Sequence, residues 1–201
     1  MRATLAAVLG VVASAPALAD PPADGRFAAF LEACLDGHRD PVRRAAAIGA
    51  AGWAAAADDA DSELAAVMRA SRQAIADATK EDGMSGSVSV FARDRGKGPL
   101  YLVATEVNMP EDAKWKVDLL GCHLYDFAAT APIDPAEISA RFDEAPAETV
   151  DKPGVLTGQT WNVEKIEGVW DVQNTFIPEG SSAAALARFT GAMLKITSTR
   201  E

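Results

Sequence analysis

The chain is poor in the residues that build reactive and metal-binding sites. It holds only two cysteines and two histidines among 201 residues. It has no C-x-x-C pair, no H-E-x-x-H motif and no G-x-G-x-x-G loop after a strand-like segment. The sequence therefore lacks the usual signatures of a thiol redox centre, a zinc protease and a dinucleotide-binding domain.

Long apolar runs and clusters of positive charge are also missing after the first residues. The alanine-rich stretch at 45–57 is shorter than the roughly 20 apolar residues that a membrane-spanning helix needs. Aspartate and glutamate number 29 against 19 lysines and arginines, for a net charge of −10. Because this excess of negative charge repels phosphate groups, we expect no nucleic-acid partner. The shortness of the apolar runs predicts no membrane span.

Residues 1–19 have the pattern of an export signal. A single positive charge at Arg2 precedes an apolar stretch that ends in Ala17-Leu18-Ala19, the small-x-small pattern that signal peptidases cleave. We therefore expect a periplasmic or secreted protein in which residues 20–201 form one domain.

The first half of the remaining chain has helical periodicity. Its apolar residues recur with the spacing of one helix face at Phe27, Phe30, Leu31, Cys34 and Leu35. A second helix is predicted to begin at Asp40-Pro41, and a third after the acidic stretch at 57–63. These signals place three helices before residue 83.

The second half alternates with the period of strands. Strands are predicted at 87–92, 100–107, 115–127, 160–166, 169–177 and 192–198. A short helix is expected after Asp134-Pro135, a loop at 143–158, and a two-residue hairpin turn at Glu167-Gly168. The predicted fold is α+β, with the N-terminal helices packed on one face of a five- to six-stranded, mainly antiparallel sheet.

The two cysteines and two histidines suggest either a zinc site or a disulfide. Cys122 and His123 are neighbours on a strand, so their side chains point to opposite faces. Cys34 and His38 are separated by Gly37, where the first helix is expected to stop. These spacings match no common zinc pair, and export favours a Cys34–Cys122 disulfide. A zinc site and two free thiols remain as alternatives.

One strand face offers a candidate ligand site. Trp115, His123 and Tyr125 alternate along the predicted strand at 115–127 and share a face. They line a ligand pocket if that face is open, and they belong to the core if helices cover it. No catalytic residue, metal ligand or cofactor is assigned. Core positions are expected for the tryptophans Trp53, Trp161 and Trp170.

The layout of the chain resembles a loose group of small exported bacterial proteins of unknown function. The resemblance rests on F-x-x-F-L-x-x-C at 27–34, on IGAAGW at 48–53 and on the strand-borne Cys122. It implies a secreted α+β domain with one bridge, and it implies no activity.

These observations favour a non-enzymatic domain that binds an envelope protein or a small ligand. Two alternatives stay open at this point. One is an envelope hydrolase that uses carboxylates or His123. The other is an acidic inhibitor or immunity-type protein, whose negative surface would suit a basic target.

Overall fold

A computed structural model describes residues 24–96, 98–110, 112–113 and 117–200. The predicted export signal and Trp115 lie outside these residues. In chain order the described elements are α1 (Gly25–Cys34), α2 (Pro41–Ala50), β1 (Ala54–Ala55), α3 (Ser62–Asp82), β2 (Ser85–Asp94), β3 (Pro99–Asn108), β4 (Asp118–Asp126), α4 (Pro135–Phe142), β5 (Glu148–Lys152), β6 (Leu156–Trp161), β7 (Val169–Ile177), α5 (Ala184–Ala187) and β8 (Gly191–Arg200).

All eight strands join one antiparallel sheet in the order β1-β2-β3-β4-β8-β7-β6-β5. The segment containing α4 carries the chain from β4 at the centre to β5 at the edge. From there the chain returns strand by strand, so that β8 pairs with β4. The α+β class is confirmed, but the expected count of five or six strands is wrong.

The two missed strands lack the sequence signal of a half-buried strand. β1 is only two alanines long, and every residue of β5 is exposed. Because β5 is an edge strand without a buried face, it shows no apolar alternation, and its residues fall within the predicted loop at 143–158.

The predicted two-residue hairpin is also wrong, since residues 162–168 connect β6 to β7. Val163 lies in that connection and is buried, so the sequence there shows the apolar residue expected of a strand.

Aspartates begin the four longer helices. The side chains of Asp24, Asp40, Asp61 and Asp134 each accept a backbone N–H of the first turn, which satisfies donors that the helix leaves free. The starts predicted at Asp40 and Asp134 are confirmed. The Glu137 carboxylate accepts a hydrogen bond from the backbone N–H of Asp24 at 2.8 Å, which connects α4 to the start of α1. None of the described helices has the length and apolar character for crossing a membrane.

The sheet is covered on both faces, so the expectation that the helices pack on one face is wrong. The disulfide face carries α1, α2 and α4, and its core includes Phe30, Ile48 and Trp161. The opposite face, here called the α3 face, holds Leu64 and Met68 of α3. Strands such as β3 require cover on both faces of the sheet, because five consecutive residues at 100–104 are buried.

The predicted disulfide between Cys34 and Cys122 is present and joins α1 to β4. The two Cα atoms lie 5.6 Å apart, and both residues are at most 1% exposed. His38 turns away from the sulfur atoms, with its Nδ1 2.9 Å from the Leu35 carbonyl and its Nε2 3.0 Å from the Glu167 carbonyl. His123 lies on the other side of the sheet, so the zinc alternative is wrong.

Candidate functional site

In the described structure, helices α3 and α5 cover only part of the α3 face. α3 packs its apolar residues against β2, β3 and β4, where Val90, Val103 and Tyr125 lie. At one end of β6, β7 and β8, Leu156, Ile177 and Met193 pack with α5 in the same apolar cluster. Away from that end, this face of the three strands carries polar side chains that are all partly exposed. This region is called the open strip, and it consists of Thr160, Asp171, Gln173, Thr175, Lys195, Thr197 and Thr199.

A β-bulge places a tryptophan beside the open strip. Val169 pairs with Ser198 and Asp171 pairs with Thr197, so β7 contains one extra residue, Trp170. Bulges re-aim the side chain of the extra residue, and Trp170 is 60% exposed. The core positions expected for Trp53 and Trp161 are observed, and the one expected for Trp170 is wrong.

Trp170 forms one wall of a cleft of about 650 Å³, here called the Trp170 cleft. The volume lies within the roughly 300–1,000 Å³ that ligand sites occupy. Asn162 and Glu164 of the β6–β7 connection form one side, and residues of the open strip form the other. The lining residues are Asn162, Glu164, Val169, Trp170, Asp171, Lys195 and Thr197.

The cleft contains polar atoms that the protein itself leaves without partners. Within the described part of the chain, Asp171 Oδ1 and Thr197 Oγ1 are shielded from solvent and accept or donate no hydrogen bond. Asp171 Oδ2 accepts the Gln173 amide at 2.5 Å. Shielding a polar group without a partner costs about 1–3 kcal/mol, so a side-chain rotation that brings these atoms to a ligand removes that cost.

Lys195 supplies the positive charge of the cleft. Among the described residues its ammonium has no carboxylate within 4.0 Å. Two negative charges, on Glu164 and Asp171, lie in the same lining. The cleft therefore offers one charged donor and two charged acceptors.

His123 borders the open strip, because it pairs with Lys195 across β4 and β8. Its ring lies against Gly121, where a Cβ would come within 3.1 Å of His123 Nε2 and 2.3 Å of Thr105 Oγ1. Burial of the imidazole and the nearby charge of Lys195 lower the pKa of His123 to about 4, although Asp171 acts in the opposite direction. His123 is therefore neutral at pH 7.

This lowered pKa predicts a pH dependence of stability. The unfolded chain takes up a proton on His123 below about pH 6.5, whereas the folded chain does so only below about pH 4. The free energy of unfolding is therefore expected to fall between pH 6.5 and pH 4, by up to about 3 kcal/mol. Urea unfolding of the wild type and of His123→Gln at both ends of this range measures the contribution. Equal pH slopes for the two proteins would contradict it.

The predicted ligand residues are only partly brought together. His123 and Tyr125 share the α3 face with ring centroids 6.2 Å apart. Tyr125 packs against Phe127 and Phe189 in the core, is 6% exposed, and has a pKa raised by burial. Tyr125 therefore does not reach a ligand, and Trp115 lies outside the described residues. The polar alternation at 171–175 and 195–199 is the signal that could have revealed the open strip.

A second cleft of similar volume lies at the other end of β7 and β8. Its charged lining residues are Glu63 and Glu179, and its walls include Phe127 and Phe176. Glu63 Oε1 accepts the backbone N–H of Thr190 at 2.6 Å and its hydroxyl at 2.9 Å. Glu63 thus holds the start of α3 against the chain before β8, and this contact is structural.

Among the described residues, the ring of His123 has one hydrogen-bond partner, the Tyr125 hydroxyl, which lies 3.3 Å from its Nδ1. Both cysteines are consumed by the disulfide. The described residues include no group of three or more His, Cys, Asp or Glu side chains placed to hold a metal ion.

Comparisons with known proteins add no further functional information. The chain matches no family model, no curated protein and no solved structure. A functional proposal therefore has to be argued from the geometry of the site.

Proposed function

We propose that this chain is an exported, non-enzymatic binding domain of the bacterial cell envelope, and that it holds a small polar ligand in the Trp170 cleft. One observation carries the proposal: an exposed indole stands beside two solvent-shielded polar atoms, Asp171 Oδ1 and Thr197 Oγ1, that lack partners in the described structure. Apolar surface combined with a few unsatisfied polar groups is the usual composition of a ligand site.

The chemistry around the cleft supports binding over turnover. General acid–base catalysis works best when the pKa of the acting group lies near the working pH. The pKa of His123 is lowered to about 4, and the pKa of Tyr125 is raised by burial. Neither group exchanges protons readily at neutral pH.

The envelope location is supported by two features of the chain. Residues 1–19 have the pattern of an export signal, and disulfides such as Cys34–Cys122 persist in oxidising compartments. The resemblance to small exported bacterial proteins points the same way.

The proposal predicts ligand-dependent stabilisation that requires Trp170. The full chain is expressed in a bacterial host, recovered from the periplasm and mixed with a panel of sugars, amino acids, carboxylates and amines. A ligand at about 100 times its dissociation constant raises the free energy of unfolding by about 2.7 kcal/mol, which thermal unfolding detects. Trp170→Ala should reduce the stabilisation to about half or less, because it removes the wall of the cleft.

The matched control is Leu186→Ala, which removes another exposed apolar side chain, 90% exposed, from α5. This variant should keep the full shift. Export is checked on the same preparation, whose intact mass should show the loss of residues 1–19. A panel without any stabilising compound, or a shift of undiminished size in Trp170→Ala, would refute ligand binding in this cleft.

A further inference from the structure

The Trp170 cleft mixes hydrogen-bond donors and acceptors. Lys195 can only donate, whereas the carboxylates of Glu164 and Asp171 can only accept. The amide of Asn162 and the hydroxyl of Thr197 can do both. The lining therefore demands a ligand that donates and accepts at closely spaced positions.

This mixture disfavours three simple classes of ligand. A small anion is repelled by the negative charges of Glu164 and Asp171, and a small cation is repelled by Lys195. A hydrocarbon leaves Asp171 Oδ1 and Thr197 Oγ1 without partners. A neutral polyhydroxylated molecule avoids all three problems, because each hydroxyl group both donates and accepts.

The exposed indole adds a second requirement. Trp170 presents a wide flat surface whose burial is favourable against an apolar face of a ligand. A pyranose ring has such a face, made of its axial C–H groups, while its hydroxyl groups point outward around the rim. One molecule can thus cover the indole and reach the polar side chains beside it.

The cleft also continues into a larger polar surface. The open strip leads away from it across β8, β7 and β6 with the hydroxyl groups of Thr160, Thr175 and Thr199 and the amide of Gln173. All of these side chains are partly exposed. A ligand longer than one ring therefore has further hydrogen-bonding groups to follow.

We infer that the ligand is a neutral oligosaccharide, with one sugar ring stacked on Trp170 and further rings lying on the open strip. This inference rests on the proposed binding function and names its ligand class. The side chains of Asp171 and Thr197 turn towards the cleft, so that the hydroxyl groups of the stacked ring bond to Asp171 Oδ1 and Thr197 Oγ1, which are shielded without a ligand. Lys195 donates to a ring or hydroxyl oxygen.

The test uses three neutral probes: cellotetraose, maltotetraose and the tetramer of N-acetylglucosamine. Isothermal titration calorimetry with the mature protein should show binding of at least one. Trp170→Ala should weaken that binding by about tenfold or more, and Trp170→Phe should retain part of it. Thermal unfolding without ligand checks that the variants remain folded.

Two further measurements separate the strip from the rest of the surface. Thr175→Val on the open strip should weaken binding of the tetramer, whereas Thr149→Val, an exposed threonine of β5 on the disulfide face, should not. The tetramer should also bind more tightly than the corresponding single sugar. Equal affinities would contradict the extension along the strip.

The charged alternatives are measured side by side at low and high salt. Affinity for a neutral sugar should be insensitive to salt, because no ionic contact has to be screened. If only free amino acids or benzoate bind, in a Trp170-dependent and salt-sensitive way, the saccharide inference is overturned while the binding function stands. If no compound binds, or if Trp170→Ala has no effect on binding, both fail.

Discussion

Removing the disulfide, by Cys34→Ala together with Cys122→Ala, is expected to lower the free energy of unfolding by about 2–5 kcal/mol. The bridge joins residues separated by 88 positions, so it restricts a large part of the unfolded chain. It also anchors α1 to β4, a central strand of the sheet. Alanine is used because serine would place a hydroxyl group at two buried positions.

Urea unfolding with and without reductant measures this contribution. Reductant should lower the midpoint of the wild type towards that of the double variant, and it should leave the double variant unchanged. The intact mass of the wild type should rise by two hydrogens on reduction. A wild type whose midpoint does not respond to complete reduction would show that the bridge contributes no stability.

Asp126→Asn is expected to lower the free energy of unfolding by about 3 kcal/mol, because it leaves the guanidinium group of Arg95 without its carboxylate and removes a second negative charge beside Arg26. Asp126 is 1% exposed and accepts a hydrogen bond from Arg95. Its Oδ2 also lies 3.6 Å from Arg26, which bonds to Asp24 and to backbone carbonyls. The side chain thus connects the β2–β3 turn to the first helix.

The matched control is Asp143→Asn, which breaks an ion pair with Lys165 in which the Asp143 side chain is 91% exposed. Its urea midpoint should stay at the wild-type value, since exposed ion pairs contribute little. A double-mutant cycle with Arg95→Gln should give a smaller loss than the sum of the two single variants. Additive losses would show that Asp126 and Arg95 do not stabilise the fold as a pair.

The local elements of the fold were readable from the sequence. The starts at Asp40 and Asp134 rest on a capping side chain and a proline in the first turn, which are contacts between near neighbours in the chain. The disulfide followed from the count of cysteines and from the position of Cys34 on the apolar side of its helix. Each of these signals lies within a short stretch of residues.

The errors arose where a strand or side chain depends on distant partners. β5 pairs only with β6 and buries nothing, so its sequence has no alternation to detect. The side chains of Tyr125 and His123 point to the same face of β4. α3 and Phe189 cover Tyr125, whereas His123 stays at the border of the open strip. Parity alone therefore does not distinguish a core residue from a site residue.

The sequence by itself determined the α+β class and the helix starts at Asp40 and Asp134, because periodicity and capping act over a few residues, and it favoured a disulfide that the structure then confirmed. Only the tertiary structure decided that α3 packs on the opposite face from α1, that β7 lies beside β8, and that one extra residue in β7 turns Trp170 outward. The Trp170 cleft joins residues 162–171 to residues 195–197. Such a site exists only when strand order and register are established, and these depend on the packing of the whole sheet.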